Sequence, residues 1–262
     1  MINCVSFAQE WKLSMKQYYD QTKKDKFLAI VQVGDHAPSN AYVKGKISDF
    51  NELGIPCKCF RLDENIDYEL AKKVIDDLNN NPECGGIIVQ LPLSERLSGL
   101  YRHVDRTKDV DGLVFDSGFI PCTAKAVIKL IDWLNYDLTG KRVVIVGRSK
   151  LVGKPLIDLM LRRNATVISC NSYTENLEEL TRLADVIVSA TGIRGLIKPG
   201  MIGGDTIVID VGITKGEDGK LYGDCDRRLH TYVDKITPVP KGVGLLTRCA
   251  LIDNFLGVLQ TC

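Results

Sequence analysis

Histidine is scarce in this 262-residue chain, three in all, and none of the nine cysteines forms a C-x-x-C pair. No metal-ligand spacing survives that shortage, so no metal site is expected. Cys4, Cys57, Cys59, Cys84, Cys122, Cys170, Cys225, Cys249 and Cys262 are scattered, which reads as reduced thiols and not as a disulfide framework. Charge of one sign is also missing: 34 Lys and Arg against 33 Asp and Glu leave +1, with no general attraction to nucleic acid. No apolar run approaches the roughly 20 residues of a membrane span. The first thirty residues lack the charged-then-apolar layout of a secretory signal, and no repeat or low-complexity tract interrupts the chain. A cytoplasmic protein acting on small molecules, with neither nucleic acid nor membrane as partner, is the expectation.

What is present is an alternation of apolar runs and amphipathic stretches. With 45% hydrophobic and 26% charged residues the composition is that of a globular protein, and the length allows one large unit or two domains. Residues 27–33, 57–62 and 86–90 read as strands, with helical patterns at 40–53 and 68–78 between them. A turn-rich stretch at 108–121 precedes an amphipathic helix at 124–134. Beyond it, strands at 142–146, 166–169, 186–190 and 207–210 alternate with helices at 154–163 and 175–183, as in a Rossmann-like unit. The fold class is therefore α/β with two αβ domains. A final helix at 245–259, after a Pro/Gly-rich stretch, is expected to return to the first block. The division expected is 1–123 plus 238–262 for the first domain and 124–237 for the second.

The most informative segment is Val143-Val144-Ile145-Val146-Gly147-Arg148-Ser149-Lys150-Leu151-Val152-Gly153-Lys154-Pro155. Four apolar, mostly β-branched residues suit a strand covered on both faces. Gly147 and Gly153 permit a tight turn, and the following helix aims its free N–H groups at a pyrophosphate. The second glycine of the usual G-x-G-x-x-G fingerprint is replaced by Ser149. Past the next strand, where an NAD enzyme presents a carboxylate to the ribose, stand Cys170, Asn171 and Ser172. No carboxylate there repels a 2′-phosphate, while Arg148 offers a planar fork and Ser149 or Ser172 a hydroxyl. NADP is favoured over NAD.

In the first block, Tyr42 and Lys46 are four residues apart on one helix, so phenol and amine share a face. An isolated Tyr-x-x-x-Lys is ordinarily surface decoration. Here the helix follows the strand at 27–33 through a loop marked by Gly34 and Pro38, on the sheet edge where open α/β sheets bind ligands. The strand at 86–90 delivers Gln90 to that same edge. Short-chain dehydrogenases also carry Tyr-x-x-x-Lys, but their glycine fingerprint precedes the pair; here Tyr42 precedes Gly147, which excludes that family.

Seven segments now stand in order: Tyr42-Val43-Lys44-Gly45-Lys46, Val89-Gln90-Leu91-Pro92-Leu93, Lys108-Asp109-Val110-Asp111-Gly112, Pro121-Cys122-Thr123, the Gly147 loop, Ile209-Asp210-Val211-Gly212-Ile213 and Ile236-Thr237-Pro238-Val239-Pro240. This ordered set, covering nearly the whole chain, resembles the bifunctional methylenetetrahydrofolate dehydrogenase/cyclohydrolase (FolD) family. The resemblance implies hydride transfer from 5,10-methylenetetrahydrofolate to NADP, then hydrolysis of the methenyl product to 10-formyltetrahydrofolate, in one cleft between the blocks. The first domain becomes the catalytic, folate-binding one and the second the cofactor domain. Lys46 takes the catalytic role in proton transfer and water activation; since an amine of pKa about 10.4 is a poor base at neutral pH, burial is expected to lower it. Gln90 orients that amine, Tyr42 stacks on the folate and Asp111 accepts from the pterin N–H groups. Val89, Leu91, Pro240, Lys241 and Gly244 complete the substrate site; Gly147, Arg148, Ser149, Ser172 and Ile213 hold the cofactor, Ile213 on the nicotinamide side. A homodimer joined through cofactor domains is implied as well, with a place in one-carbon metabolism and purine biosynthesis.

Two departures from the family stand out. Only Leu113 to Ile120 separate Asp111-Gly112 from Pro121-Cys122-Thr123, where relatives carry a longer connection, so a more open folate wall is expected. The usual Pro-Gly-Gly-Val-Gly is Pro240-Lys241-Gly242-Val243-Gly244, which places a side chain at a usually bare position, either to contact the acidic glutamate tail of a folate or to narrow the site. These departures motivate two alternatives: a folate- or nucleotide-binding homologue with little turnover, and a two-block dehydrogenase of amino or hydroxy acids. Intact Tyr42, Lys46, Gln90 and Asp111 disfavour the second.

Overall fold

Apolar runs such as Phe-Leu-Ala-Ile-Val and Val-Val-Ile-Val become parallel strands because both faces of each are covered. In the computed structural model, which describes residues 1–22, 25–114 and 116–261, the chain falls into two units. The first comprises Trp11–Cys122 and Arg248–Cys262; the second comprises Met1–Glu10 and Thr123–Thr247. Residues 1–10 and 238–247 thus lie with the second unit, where the sequence reading put them with the first. Ile2 N–H donates to the Ile236 carbonyl at 2.9 Å, and Phe7 stacks on Trp133 with ring centroids 5.2 Å apart.

The first unit holds a three-stranded parallel sheet ordered β2-β1-β3, formed by β1 (Phe27–Val33), β2 (Cys57–Leu62) and β3 (Cys84–Val89). Ala29, Val31, Ile87 and Val89 on one face pack with Ala71, Ile75 and Leu78 of α3 (Tyr68–Asn80) and with Leu97 and Leu100. The C-terminal helix α7 (Val243–Thr261) returns to this unit as expected: Phe255 meets Phe50 of α2 (Ala37–Glu52) edge-on, centroids 5.5 Å apart. Buried Asn254 donates to the carbonyls of Val110 at 2.9 Å and Ile120 at 3.0 Å, tying the helix to the short 112–120 connection. By length and composition alone Val243–Gln260 is apolar enough to cross a membrane, which corrects the expectation of no such run; most of it is buried inside the protein.

The second unit holds a four-stranded parallel sheet ordered β5-β4-β6-β7, formed by β4 (Arg142–Val146), β5 (Thr166–Cys170), β6 (Val186–Ser189) and β7 (Ile207–Asp210). Val146 pairs with both Cys170 and Ser189, and Ser189 with Asp210, so all four C-terminal ends reach one edge. The seven parallel strands and the helices that hydrophobic periodicity predicted lie where it put them. Helix α1 (Cys4–Thr22) and the hairpin β8 (Thr214–Lys215) with β9 (Leu221–Tyr222) were not anticipated. The remaining helices are α4 (Cys122–Trp133), α5 (Gly153–Leu161) and α6 (Leu177–Arg182).

Lys108 closes the C-terminal end of α3: its Nζ donates to the carbonyls of Leu78 (3.1 Å), Asn79 (2.7 Å) and Asn81 (2.8 Å). A cation there meets both unpaired carbonyls and the negative end of the helix dipole. Lys108→Met keeps the aliphatic stem and loses the charge-assisted bonds. Urea denaturation is expected to show a loss of about 1.5–3 kcal/mol; an unchanged midpoint would contradict this.

Candidate active site

In the first unit the site begins where β1 ends. Gly34 takes a φ of 70°, a left-handed turn that a side chain resists. Gln32, almost fully buried, donates through Nε2 to Asn40 Oδ1 at 2.5 Å, and Asn40 Nδ2 donates to Asp35 Oδ1 at 2.7 Å. This chain of amides joins the strand to the start of α2, so the helix that carries Tyr42 and Lys46 is held at its entry. Farther along, buried Asp49 pairs with Lys12 at 2.6 Å and with Arg248 Nε at 3.0 Å. Gly45 makes room for that guanidinium, since a Cβ there would lie 2.3 Å from Arg248 Nη1.

Lys46 Nζ donates to Gln90 Oε1 at 3.1 Å. Gln90 is itself held twice more, its backbone N–H donating to the Val31 carbonyl at 2.8 Å and its Nε2 to the Leu91 carbonyl at 2.7 Å. The amide therefore turns its oxygen toward the amine. Tyr42 is half-exposed one helical turn before Lys46. Val89, by contrast, is buried in the core with its side chain among apolar neighbours, so only its backbone is available to a substrate. Asp109 is also buried: its carboxylate accepts the Val114 N–H at 2.8 Å. Burial pushes its pKa up, while the N–H groups of Val114 and Leu113 oppose the rise. It anchors the loop, and Asp111, two residues on, is half-buried, as is Leu91.

In the second unit, Gly147 follows β4 with φ 109°, and a Cβ on it would lie 2.4 Å from the Ala190 carbonyl oxygen. Its N–H donates to the Cys170 carbonyl at 2.9 Å. Gly153 packs onto Gly147, where a Cβ would lie 2.0 Å from the Gly147 carbonyl oxygen. The loop between them is folded by Ser149, whose Oγ accepts the Val152 N–H at 3.2 Å and whose carbonyl accepts the Lys154 N–H at 3.0 Å. Arg148, Ser149 and Ser172 are exposed. Helix α5 opens without a side-chain cap, but the Lys154 N–H is taken by the Ser149 carbonyl and Pro155 has no N–H, so its first turn presents fewer donors to an anion than the sequence suggests. This glycine cradle, with a guanidinium and two hydroxyls along one sheet edge, fits a phosphorylated dinucleotide. After β7, Ile213 is partly exposed beside Gly244, where an added Cβ would lie 3.2 Å from Ile213 Cδ1. Pro240 and Lys241 are exposed just upstream.

Residues 2–111 match the model of the tetrahydrofolate dehydrogenase/cyclohydrolase catalytic domain, and residues 121–261 match that of the family's NAD(P)-binding domain. The chain belongs to the tetrahydrofolate dehydrogenase/cyclohydrolase family. It is 36% identical to the bifunctional protein FolD of Malacoplasma penetrans, over 99% of this chain and 97% of that one. Among solved structures it resembles the FolD methylenetetrahydrofolate dehydrogenase/cyclohydrolase of Campylobacter jejuni, at TM-score 0.93 and 34% identity, covering 99% and 98% of the two chains. It also resembles the Trypanosoma brucei FolD solved with NADP cofactor and an inhibitor, at TM-score 0.91 and 27% identity, covering 100% and 97%.

The two family models leave residues 112–120 between them, the connection that the sequence marks as short. The other family departure has a backbone consequence. Lys241 takes φ 68°, a conformation that a non-glycine residue adopts at a cost. Gln32, Asn40, Thr191 and Asp224 were not singled out from the sequence. For Gln32 the signal was there, a glutamine inside an otherwise apolar strand. Lys241→Gly is expected to raise stability by about 1 kcal/mol in urea denaturation, the relieved strain exceeding the added chain entropy; a destabilised variant would contradict the strain.

Proposed function

We propose that this FolD-family chain oxidises 5,10-methylenetetrahydrofolate to 5,10-methenyltetrahydrofolate with NADP and hydrolyses that product to 10-formyltetrahydrofolate. The observation that carries the reading is the Lys46–Gln90 hydrogen bond, at the end of β3, in a chain that matches both domains of the family. An amine whose position and direction are set by a fixed amide can relay a proton at one atom of a bound substrate and orient a water for attack. Tyr42 lies one turn away as a platform for a flat heterocycle. Asp111 supplies the acceptor for pterin N–H groups. Leu91 with the backbone at Val89, and Pro240, Lys241 and Gly244, contact the rest of the folate; the Lys241 ammonium suits its acidic tail.

NADP, when bound, supplies the hydride acceptor. The Gly147 to Gly153 loop is assigned to its pyrophosphate, Arg148 with Ser149 and Ser172 to its 2′-phosphate, and Ile213 to its nicotinamide side. We further propose a homodimer, as the family resemblance implies. Its action lies in cytoplasmic one-carbon metabolism feeding purine biosynthesis, and the free cysteines among the described residues suit that reducing compartment.

An optical assay with methylenetetrahydrofolate and NADP tests the reading: reduced cofactor and a methenyl transient that decays to the formyl product are expected. No signal at high enzyme concentration would overturn it in favour of a binding homologue. In the same assay Arg148→Ala is expected to weaken NADP by about tenfold or more while NAD changes little. Equal weakening of both would make Arg148 a structural loop residue.

A further inference from the structure

Beneath the loops that follow β6 and β7 lie two buried carboxylates, Asp210 and Asp224, which the proposed chemistry does not use. They interlock two stretches of backbone reciprocally. Asp210 accepts N–H groups from Gly212 (3.1 Å), Asp224 (2.9 Å) and Cys225 (2.9 Å). Its Oδ2 occupies the space that a Cβ on Gly223 would take, at 2.0 Å. Asp224 returns the arrangement: its Oδ1 lies 1.9 Å from where a Cβ on Gly212 would be. The other oxygen of Asp224 is fully engaged by the loop after β6. Oδ2 accepts from Ser189 Oγ at 2.8 Å, from Thr191 N–H at 2.7 Å and from Thr191 Oγ1 at 2.9 Å. Thr191 Oγ1 then accepts the Ile193 N–H at 3.1 Å, and Thr214 Oγ1 ties the two loops again by donating to the Gly192 carbonyl at 2.9 Å.

One carboxylate therefore sets two loops at once, the one at 191–193 and the one at 211–213. Ile213 leaves the second loop directly after Gly212, whose bare α-carbon rests on Asp224. The carboxylate is used asymmetrically: Oδ2 takes three donors at the end of β6, while Oδ1 is buried against the bare Gly212 with no hydrogen-bond partner among the described residues, so the group is fixed between these two loops and not placed by its own full satisfaction. We infer that Asp224 is a positioning residue for the nicotinamide end of the cofactor: it sets Ile213 and the 191–193 loop, and has no part in holding the adenosine end at Arg148, Ser149 and Ser172. This inference rests on the functional reading above.

Asp224→Ala strands three buried donors and risks unfolding, so Thr191→Val is the sharper variant: it removes the hydroxyl that donates to Asp224 and accepts the Ile193 N–H, and keeps the backbone bond to Asp224. Titration calorimetry with NADP and with 2′,5′-ADP, the adenosine-end fragment, separates the two ends of the site. Thr191→Val is expected to weaken NADP about tenfold, with 2′,5′-ADP unchanged within about twofold. Dehydrogenase kcat should fall by a similar factor, while hydrolysis of methenyltetrahydrofolate measured without cofactor stays near the wild-type rate. Equal weakening of NADP and 2′,5′-ADP would overturn the inference, as would no change in either. If the wild type binds neither, the functional reading fails first and takes this inference with it.

Discussion

A parallel strand covered on both faces offers the chain only its ends for chemistry. Many of the positions assigned to a site here obey that constraint, while Asp111, Pro240, Lys241 and Gly244 come from other segments. Gly34 and the start of α2 follow β1, Gln90 follows β3, Gly147 follows β4, Ser172 follows β5, Thr191 follows β6 and Ile213 follows β7. The sheets set where those positions fall, and a short layer of polar contacts beneath each sets how they point. Among these contacts are the Gln32 to Asn40 amide bond, the two further bonds on Gln90, and the Asp210 and Asp224 carboxylates.

Helix α2 shows how much of that layer serves one group. Its entry is held by Asn40, its middle is packed by Arg248 against the bare Gly45, and its later turns are held by the ion pairs of Asp49 with Lys12 and Arg248. A buried carboxylate held by two cations is costly to strip of them, because its charge would then sit uncompensated in a poor solvent. The result is an amine, Lys46, on a helix that cannot rotate freely relative to β3. Gln90 supplies the matching oxygen from a strand end equally fixed.

Much of this architecture was legible in the sequence, for a physical reason: strands buried on both faces are continuous apolar runs, and the helices between them are amphipathic. Helix α1 was missed although Cys4, Phe7, Ala8, Trp11, Met15 and Tyr19, all buried, recur at helical spacing. Its interspersed polar residues dilute the pattern, although Asn3, whose Oδ1 accepts the Ser6 N–H at 3.0 Å, marks the start. The pairing of Lys46 with Gln90 was legible because both follow strands that share an edge. Alternation along β3 turns the Val89 side chain into the core, so its assignment to the substrate site rests on its backbone, while Gln90 lies just past the strand. Asp224 could not be found by inspection: its partners Ser189, Thr191 and Gly212 lie far from it in the chain, and only folding brings them together. Lys241 was marked in the sequence as a side chain at an unusual position, but its left-handed backbone shows only in the fold.

The departures of this chain, the short 112–120 connection and Lys241, fall on segments assigned to the folate and leave the Lys46–Gln90 pair intact. The central claim is that this pair carries the proton chemistry and that the cofactor loops work independently of it. The most direct test is the Lys46→Ala variant, assayed for hydrolysis of methenyltetrahydrofolate and, in parallel, titrated with NADP. The account predicts that hydrolysis falls by about 100-fold or more while the NADP Kd stays at the wild-type value. Hydrolysis at the wild-type rate would contradict it.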